Sequence, residues 1–147
     1  MAKPIFILNG PNLNLLGERE PHIYGATTLA DIEAACLARA ASLGLEIDFR
    51  QTNHEGVLVE HIHEARKAAS GIIINPAGYS FTSVAVLDAL KMFEGPKIEL
   101  HISNIHAREP IYHNSLMSRA VTAVIAGLGA YGYELALDAM ARLATAK

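Results

Sequence analysis

The chain opens with four apolar, β-forming residues that run directly into a polar turn, Ile5-Phe-Ile-Leu-Asn-Gly-Pro-Asn12. Such a stretch predicts a short buried strand that ends abruptly. The loop that follows carries the polar side chains of Asn12, Arg19 and Tyr24. Gly17 and Gly25 bound this loop, and we expect both to act as hinges. Open α/β sheets place their ligand sites in loops of this kind, so we expect the loop to be functional.

The same alternation of β-forming and helical patterns continues along the whole chain. Thr28 and Asp31 predict a capping box at the start of a helix that ends at Gly44. Gly71-Ile-Ile-Ile-Asn75 is short and uniformly apolar, which is typical of a strand buried on both faces. The other predicted elements are strands over 45–52, 97–102 and 121–126 and helices over 57–69, 82–93 and 131–145. This order predicts one α/β domain over residues 1–147, with a five-stranded parallel sheet covered by helices on both faces.

Composition excludes several classes of partner. Of 147 residues, 51% are apolar and 18% are charged, which leaves room for subunit interfaces. The formal net charge of −3 comes with no basic cluster, so we expect no nucleic-acid partner. The apolar runs are too short to span a bilayer, and the start Met-Ala-Lys-Pro lacks the longer apolar region expected of a secretion signal. A single cysteine, Cys36, excludes an internal disulfide, and we expect a cytoplasmic protein without a membrane partner.

Three polar loops are predicted to leave the same edge of the sheet, over residues 9–24, 75–81 and 101–112. The carboxyl ends of parallel strands meet at one edge, so these loops should converge on one crevice. This convergence predicts a site for a small molecule.

No metal site is predicted from the histidines. His61 and His63 are two residues apart on a helix and point in different directions. His101, His106 and His113 have no acid or thiol at a spacing that completes a site. The first loop also lacks either standard pattern of a phosphate-binding loop, although a flavin or nucleotide in the crevice remains compatible with the fold. We expect no cofactor.

Acid–base chemistry has more support. Glu99 and His101 are two residues apart on one predicted strand, so their side chains share a face. A carboxylate beside an imidazole fixes its tautomer and favours its protonated form, which suits a general acid. A salt bridge at a strand end explains the same spacing equally well.

A base is harder to assign from the residues alone. A free phenol ionises near pH ~10, so Tyr24 needs roughly 4 kcal/mol of help to act as a base at neutral pH. The guanidinium of Arg19 could supply much of this in a water-poor site. Alternatively, Tyr24 packs within the loop and Arg19 is solvated. Asn12 and Asn75 offer uncharged donors to a developing oxyanion, although both are also ordinary turn residues.

Several motifs make the chain resemble the type II 3-dehydroquinate dehydratases over nearly its whole length. They are Asn9-Gly-Pro-Asn-Leu-Asn-Leu-Leu-Gly17, Arg19-Glu-Pro21, Tyr24-Gly25, Gln51-Thr-Asn-His-Glu-Gly56, His101-Ile-Ser-Asn-Ile-His-Ala-Arg-Glu109 and Gly129-Ala-Tyr-Gly-Tyr133. The resemblance implies a flavodoxin-like fold and a cofactor-free elimination of water through an enolate. It also implies a homododecamer built as a tetramer of trimers.

The resemblance implies a catalytic role for five residues. Tyr24 matches the base that removes a proton alpha to the ketone, and Arg19 matches the residue that activates it. Asn12 matches the residue that holds the enolate through a water. His101, oriented by Glu99, matches the acid that protonates the departing hydroxyl.

The resemblance also implies a set of substrate-binding residues. Ile102, Ser103 and Asn75 match the residues that hold the substrate carboxylate and ring. Asp88 matches an acid that a neighbouring subunit contributes, which would make the trimer part of the site.

The chain departs from the family pattern at three positions. Phe81 replaces a histidine, Leu87 replaces an arginine before the acid, and Tyr112 replaces a second arginine; Arg108 is retained and could swing in. The family residues at 81 and 112 contact ring hydroxyls of the substrate. Losing a buried donor costs roughly 1–3 kcal/mol, so two losses could weaken dehydroquinate binding by roughly two orders of magnitude.

Three hypotheses follow. The first is a type II 3-dehydroquinate dehydratase that serves shikimate synthesis or quinate breakdown. The second is a hydro-lyase with the same mechanism that acts on a related carboxylated ring or keto-acid with fewer hydroxyls. The third is a catalytically silent oligomer that binds a small acid, although binding alone does not need the combination of Tyr24, Arg19, His101 and Glu99.

Overall fold

The protein is represented by a computed structural model that describes residues 2–18 and 20–144, except for the side chains of Ile23 and Tyr24. Five parallel strands form one sheet in the order β2-β1-β3-β4-β5. The strands are β1 (Ile5–Asn9), β2 (Ile47–Gln51), β3 (Gly71–Asn75), β4 (Lys97–His101) and β5 (Ala123–Ala126). The helices are α1 (Pro21–Tyr24), α2 (Leu29–Leu43), α3 (Glu55–Ala68), α4 (Val84–Lys91) and α5 (Tyr131–Leu143).

Helices cover both faces of the sheet, so the core is divided into two layers. β1 and β3 are buried along their whole length because both are apolar at every position before the terminal asparagine. Alternate side chains point to opposite faces. Ile5, Ile7 and Ile73 pack on the side of α2 and α5, whereas Phe6 and Ile72 pack on the side of α3 and α4.

The strands end nearly level, which brings the following loops together. Asn9 at the end of β1 lies beside Gln51 of β2 and beside Asn75 of β3. In the next pair, Ile74 of β3 lies beside Glu99 of β4. The loops after β1, β3 and β4 therefore start at the same edge of the sheet.

Most predicted elements are confirmed, with small errors at their ends. The predicted boundaries of β3 are confirmed, and the capping box of α2 forms between Thr28 and Asp31. The helix predicted from residue 82 begins only at Val84, because the Ser83 hydroxyl accepts the N–H of Val86 as an N-cap. The preceding turn continues as a 3₁₀ helix, Ala77–Phe81. Two further 3₁₀ turns, Ile105–Ala107 and Pro110–Tyr112, give structure to the loop after β4.

The loops after β1 and β3 approach each other closely at Gly10. The Gly10 N–H donates to the Asn75 carbonyl over 2.8 Å. A Cβ atom added at Gly10 would lie 2.5 Å from the backbone oxygen of Pro76. The clash is with backbone, so it could be relieved only if the loop after β1 or the loop after β3 moved. Only glycine fits at this crossing.

We therefore expect Gly10→Ala to lower the free energy of unfolding by about 1–3 kcal/mol, since it forces two backbone segments apart. Urea unfolding followed by circular dichroism would measure the change. Gly56→Ala is the matched control, because a Cβ at Gly56 in α3 meets nothing within 4 Å. It should be neutral or stabilise by up to about 1 kcal/mol. Equal stabilities of the two variants would contradict the close approach.

Candidate active site

A cavity of about 270 Å³ lies at the carboxyl edge of the sheet, between the loops that follow β1, β3 and β4. We call it the crevice. Seven of the predicted site residues line it: Asn12, Asn75, Phe81, His101, Ile102, Ser103 and Tyr112. The predicted convergence of three polar loops is therefore observed in the fold.

Glu99 and His101 form a buried pair at the end of β4. His101 lines the crevice, and Glu99 lies behind it with no exposed surface. The His101 Nε2–H group donates to Glu99 Oε2 over 2.5 Å, and the Ser118 hydroxyl donates to Oε1 over 2.6 Å. This arrangement uses Nε2 and leaves Nδ1 for a ligand in the crevice.

The Glu99 side chain is held as a carboxylate. Burial acts to raise its pKa, but hydrogen bonds from His101, Ser115 and Ser118 together lower the pKa below its ordinary value of 4.5. The two serines were not predicted as site residues. They follow β4 by more than a dozen residues, and no local pattern links them to Glu99.

The Asn12 loop is tied to the loop after β2. Asn12 has a left-handed backbone with φ of 71°, and its N–H donates to the Asn53 Oδ1 atom over 2.9 Å. The Gln51 Nε2 group also donates to this oxygen, over 3.1 Å, and to the Gly10 carbonyl over 3.1 Å. Gln51 and Asn53 therefore position Asn12, a role that was not predicted from the sequence.

Asn75 is held at the end of β3 from two sides. Its Nδ2 group donates to the Tyr133 hydroxyl over 3.0 Å, and its Oδ1 atom accepts the Ala77 N–H over 3.2 Å. Tyr133 belongs to α5, far along the chain, and was not predicted to support the site.

Phe81 and Tyr112, two of the three predicted departures from the family pattern, contact each other, and Phe81 also contacts the predicted acid His101. The Phe81 ring stacks on His101 with 6.2 Å between centroids and 28° between planes. The Tyr112 ring meets Phe81 edge-on at 5.4 Å, and the Arg108 guanidinium lies 3.9 Å from the Tyr112 ring centroid. We call Phe81, Tyr112 and Arg108 the aromatic wall. Its three residues line one part of the crevice, next to His101.

Leu87 and Asp88 lie away from the crevice on α4. Leu87 is buried among the core residues between α3 and α4. Asp88 is on the exposed side of the helix and does not line the crevice of its own chain.

Two predicted catalytic groups, Arg19 and the Tyr24 side chain, lie outside the described residues. The two glycines predicted to bound this loop, Gly17 and Gly25, both have a positive φ, of 91° and 81°. A Cβ at Gly17 would lie 2.9 Å from the Ala26 carbonyl oxygen, so the two ends of this loop nearly touch.

The described part of the chain contains neither a metal-binding cluster nor a membrane-spanning helix. Among residues 2–18 and 20–144, no group of three or more His, Cys, Asp and Glu side chains could hold a metal ion. Over the same residues, none of the helices has the length and apolarity needed to cross a membrane.

Known proteins resemble this chain in sequence and in structure. The family model for dehydroquinase class II matches residues 3–141. The chain belongs to the type II dehydroquinase family. It is 56% identical over 142 residues to a 3-dehydroquinate dehydratase of Chelativorans sp. (strain BNC1), covering 96% of this chain and 98% of that protein. It is 59% identical over 137 residues to a 3-dehydroquinate dehydratase of Cereibacter sphaeroides, covering 93% of each.

A solved structure agrees with this assignment. The type II dehydroquinase from Propionibacterium acnes superposes with a TM-score of 0.93 at 48% identity, over 96% of this chain and 97% of that one. The predicted α/β fold and the predicted hydro-lyase class are thereby confirmed. In this type II dehydroquinase the buried Glu99–His101 pair lies next to the aromatic wall.

The Glu99 carboxylate predicts how this dehydroquinase responds to acid. Because its folded pKa is lowered, Glu99 contributes stability above pH 4.5, and that contribution is lost as the pH falls through the folded pKa. We expect Glu99→Gln to be less stable at neutral pH and to lose less stability between about pH 5 and pH 3 than the unaltered protein. Unfolding free energies across this range would measure both effects.

Glu33→Gln is the control for this experiment, because Glu33 is an exposed residue on α2. Its acid dependence should follow that of the unaltered protein. Parallel curves for Glu99→Gln and Glu33→Gln would show that Glu99 is not held as a buried carboxylate.

Proposed function

We propose that this protein is a 3-dehydroquinate dehydratase that converts 3-dehydroquinate to 3-dehydroshikimate and water without a cofactor. The observation that carries the proposal is the buried Glu99–His101 pair, which meets the crevice through His101. A buried carboxylate next to an imidazole is suited to orient it as a proton donor. The chain also matches relatives named 3-dehydroquinate dehydratase over more than nine-tenths of its length.

The proposed reaction moves two protons. Tyr24, activated by Arg19, takes the proton alpha to the ketone, and the electrons of that bond form an enolate. Asn12, which also lines the crevice, holds the enolate oxygen through a water. The enolate then collapses, a carbon–carbon double bond forms, and the departing hydroxyl takes a proton from His101 to leave as water.

The substrate carboxylate and ring are proposed to bind where β4 ends. Ile102 and Ser103 follow His101 directly and line the crevice beside it, and Asn75 lies at the end of the neighbouring strand. Backbone N–H groups and a hydroxyl are suitable donors to a carboxylate. The acid and the carboxylate contacts would then come from one short segment.

This proposal is tested by following the ultraviolet absorbance of the conjugated enone product. Tyr24→Phe and His101→Asn should each reduce the turnover of 3-dehydroquinate by at least about 100-fold, because each removes a proton-transfer group. Tyr131→Phe and His106→Asn are the controls, since both side chains lie outside the crevice and should leave turnover unchanged. Full activity of either catalytic variant would contradict the assigned role.

The aromatic wall supports a second candidate, a hydro-lyase for a carboxylated ring or keto-acid with fewer hydroxyls. A substrate hydroxyl near Phe81 would meet a carbon ring instead of an imidazole, and one near Tyr112 would meet a phenol instead of a guanidinium. The wall therefore offers fewer hydrogen-bond donors than the family pattern does, although Arg108 remains in it. Leaving a polar group without a partner in a buried site costs roughly 1–3 kcal/mol. Glu99 and His101 need no such change, so the same chemistry would be retained.

One double variant separates the two candidates. If the wall excludes hydroxyls, the unaltered protein should turn over 3-dehydroquinate poorly, and Phe81→His with Tyr112→Arg should raise kcat/KM by roughly 100-fold. High activity of the unaltered protein would exclude this second candidate. Binding of small acids without any turnover, and without rescue by the double variant, would leave a catalytically silent oligomer.

We also propose that the chain is a single domain that assembles in the cytoplasm as a dodecamer, a tetramer of trimers, with Asp88 completing a neighbour's site. Asp88 is exposed on α4 near the large exposed apolar side chains of Val84 and Met92, which are candidates for subunit contact. Whether the enzyme serves shikimate synthesis or quinate breakdown depends on its metabolic setting.

Light scattering after size exclusion would test the assembly, with an expected mass twelve times the 15.8 kDa of one chain. Val84→Glu should break the trimer contact and lower that mass, since it places a charge in an apolar interface. Lys3→Glu, an exposed change outside the sheet, is the control. A monomeric unaltered protein would contradict the assembly.

A further inference from the structure

The hydroxyl of Tyr133 lies in the core, directly beneath the crevice. Tyr133 is fully buried on α5, among the side chains that pack this helix against the sheet. Its hydroxyl reaches the point where β1 and β3 end and contacts both terminal asparagines. Asn75 lines the crevice, so Tyr133 is one residue removed from any ligand.

The hydrogen bonds around Tyr133 form a chain from the end of β2 to the loop after β3. The Asn9 Nδ2 group donates to the Arg50 carbonyl over 2.9 Å. The Tyr133 hydroxyl donates to Asn9 Oδ1 over 2.7 Å and accepts from Asn75 Nδ2 over 3.0 Å. The Ala77 N–H donates to Asn75 Oδ1 over 3.2 Å.

Backbone groups at both ends fix the direction of this chain. The Arg50 carbonyl can only accept, so Asn9 must turn its amide nitrogen toward Arg50 and its oxygen toward Tyr133. The single hydroxyl proton of Tyr133 is then used, and its oxygen can only accept from Asn75. At the other end of the chain, the Ala77 N–H can only donate, so the Asn75 amide must turn its oxygen toward Ala77 and its nitrogen toward Tyr133.

A reversed Asn75 amide would lose both of its contacts. Its oxygen would face the acceptor side of the Tyr133 hydroxyl, and its nitrogen would face the Ala77 N–H. Burial also raises the pKa of Tyr133, which outweighs the opposite effect of the Asn75 hydrogen bond, so the hydroxyl keeps its proton. One orientation of Asn75 is therefore strongly preferred.

We infer that Tyr133 is a positioning residue that clamps the Asn75 amide in one orientation, with one Nδ2 hydrogen left to donate to a ligand in the crevice. The ligand group at Asn75 is then a hydrogen-bond acceptor, such as a carboxylate, carbonyl or hydroxyl oxygen. Ala77 holds the amide oxygen from within the same loop, and its backbone has a positive φ of 51°. Unlike Ala77, which lies in the same loop as Asn75, Tyr133 belongs to α5 and is packed in the core. It therefore provides the rigid side of the clamp.

A cycle of four proteins tests the inference: the unaltered protein, Tyr133→Phe, Asn75→Ala and the double variant. Because the inference rests on the proposed function, the first measurement is KM and kcat for 3-dehydroquinate. Tyr133→Phe should raise KM by about 3–10-fold with little change in kcat, as expected for a weakened binding contact. In the Asn75→Ala background, Tyr133→Phe should have no further effect on KM.

Tyr131→Phe is the matched control, because Tyr131 lies on the same helix with 57% of its surface exposed. It should change neither KM nor kcat. If Tyr133→Phe raises KM equally with and without Asn75, its effect does not pass through Asn75 and the inference is overturned. An unchanged KM for Tyr133→Phe overturns it as well.

The melting temperatures of the same four proteins give a readout that needs no substrate. Tyr133→Phe removes two buried hydrogen bonds, and in the Asn75→Ala background it removes only the bond to Asn9. The melting temperature should fall by about 4–8 °C in the first case and by roughly half as much in the second. If the unaltered protein leaves 3-dehydroquinate unchanged, the proposed function fails and this coupling alone decides the inference. A smaller fall in the Asn75→Ala background supports it, and an equal or larger fall overturns it.

Discussion

The ionised carboxylate of Glu99 is buried in the sheet, and hydrogen bonds must replace the water that it loses. An unpaired buried charge is expensive, so every donor around it has to be held in place by the fold. His101 supplies one donor from the same strand, whereas Ser118 supplies another from the segment that leads to β5. Because both donors bind the same carboxylate, Glu99 fixes the conformation of the segment after β4 and the orientation of the His101 imidazole together. Removing either donor would disturb both.

The crevice exists because the parallel strands end level and their last residues are polar. β1 and β3 are apolar up to a terminal asparagine, which allows full burial of the strand and a polar group at its end. The two asparagines lie side by side in register. Their side chains cannot both be solvated at that depth, so they are satisfied through Tyr133. The contacts that stabilise the strand ends are thus the same contacts that shape the floor of the site.

Local patterns in the sequence were sufficient to predict the strands of the sheet, because apolar patterns and helix caps are formed by residues that are close together in the sequence. β3 was predicted with its correct ends, and the Thr28–Asp31 capping box placed the start of α2. The contact between Glu99 and His101 follows from the period of a strand. Ser118 and Tyr133 could not be predicted in this way, since their partners are distant in sequence and only the folded chain brings them together.

Pocket walls are equally hard to predict, because ring orientation depends on packing. The sequence identified Phe81 and Tyr112 as departures from a family pattern, but it did not indicate that they contact each other or that Arg108 covers Tyr112.

The α4 N-terminus was misplaced for a related reason. Ser83 ends the preceding 3₁₀ turn by capping α4, and its hydroxyl also donates to Glu55 of α3. That second contact is tertiary.

The position of Phe81 links recognition to chemistry. Its ring stacks on the imidazole of His101, so a change at this position alters both the surface proposed to face the substrate hydroxyls and the surroundings of the proposed acid. An aromatic ring offers no hydrogen bond to compete for His101 Nδ1, because its face is only a weak acceptor. The oxygen of the departing hydroxyl would then be the main partner for that nitrogen. A substitution that weakens hydroxyl recognition can in this way leave the proton transfer well oriented, which is why the two properties must be measured separately.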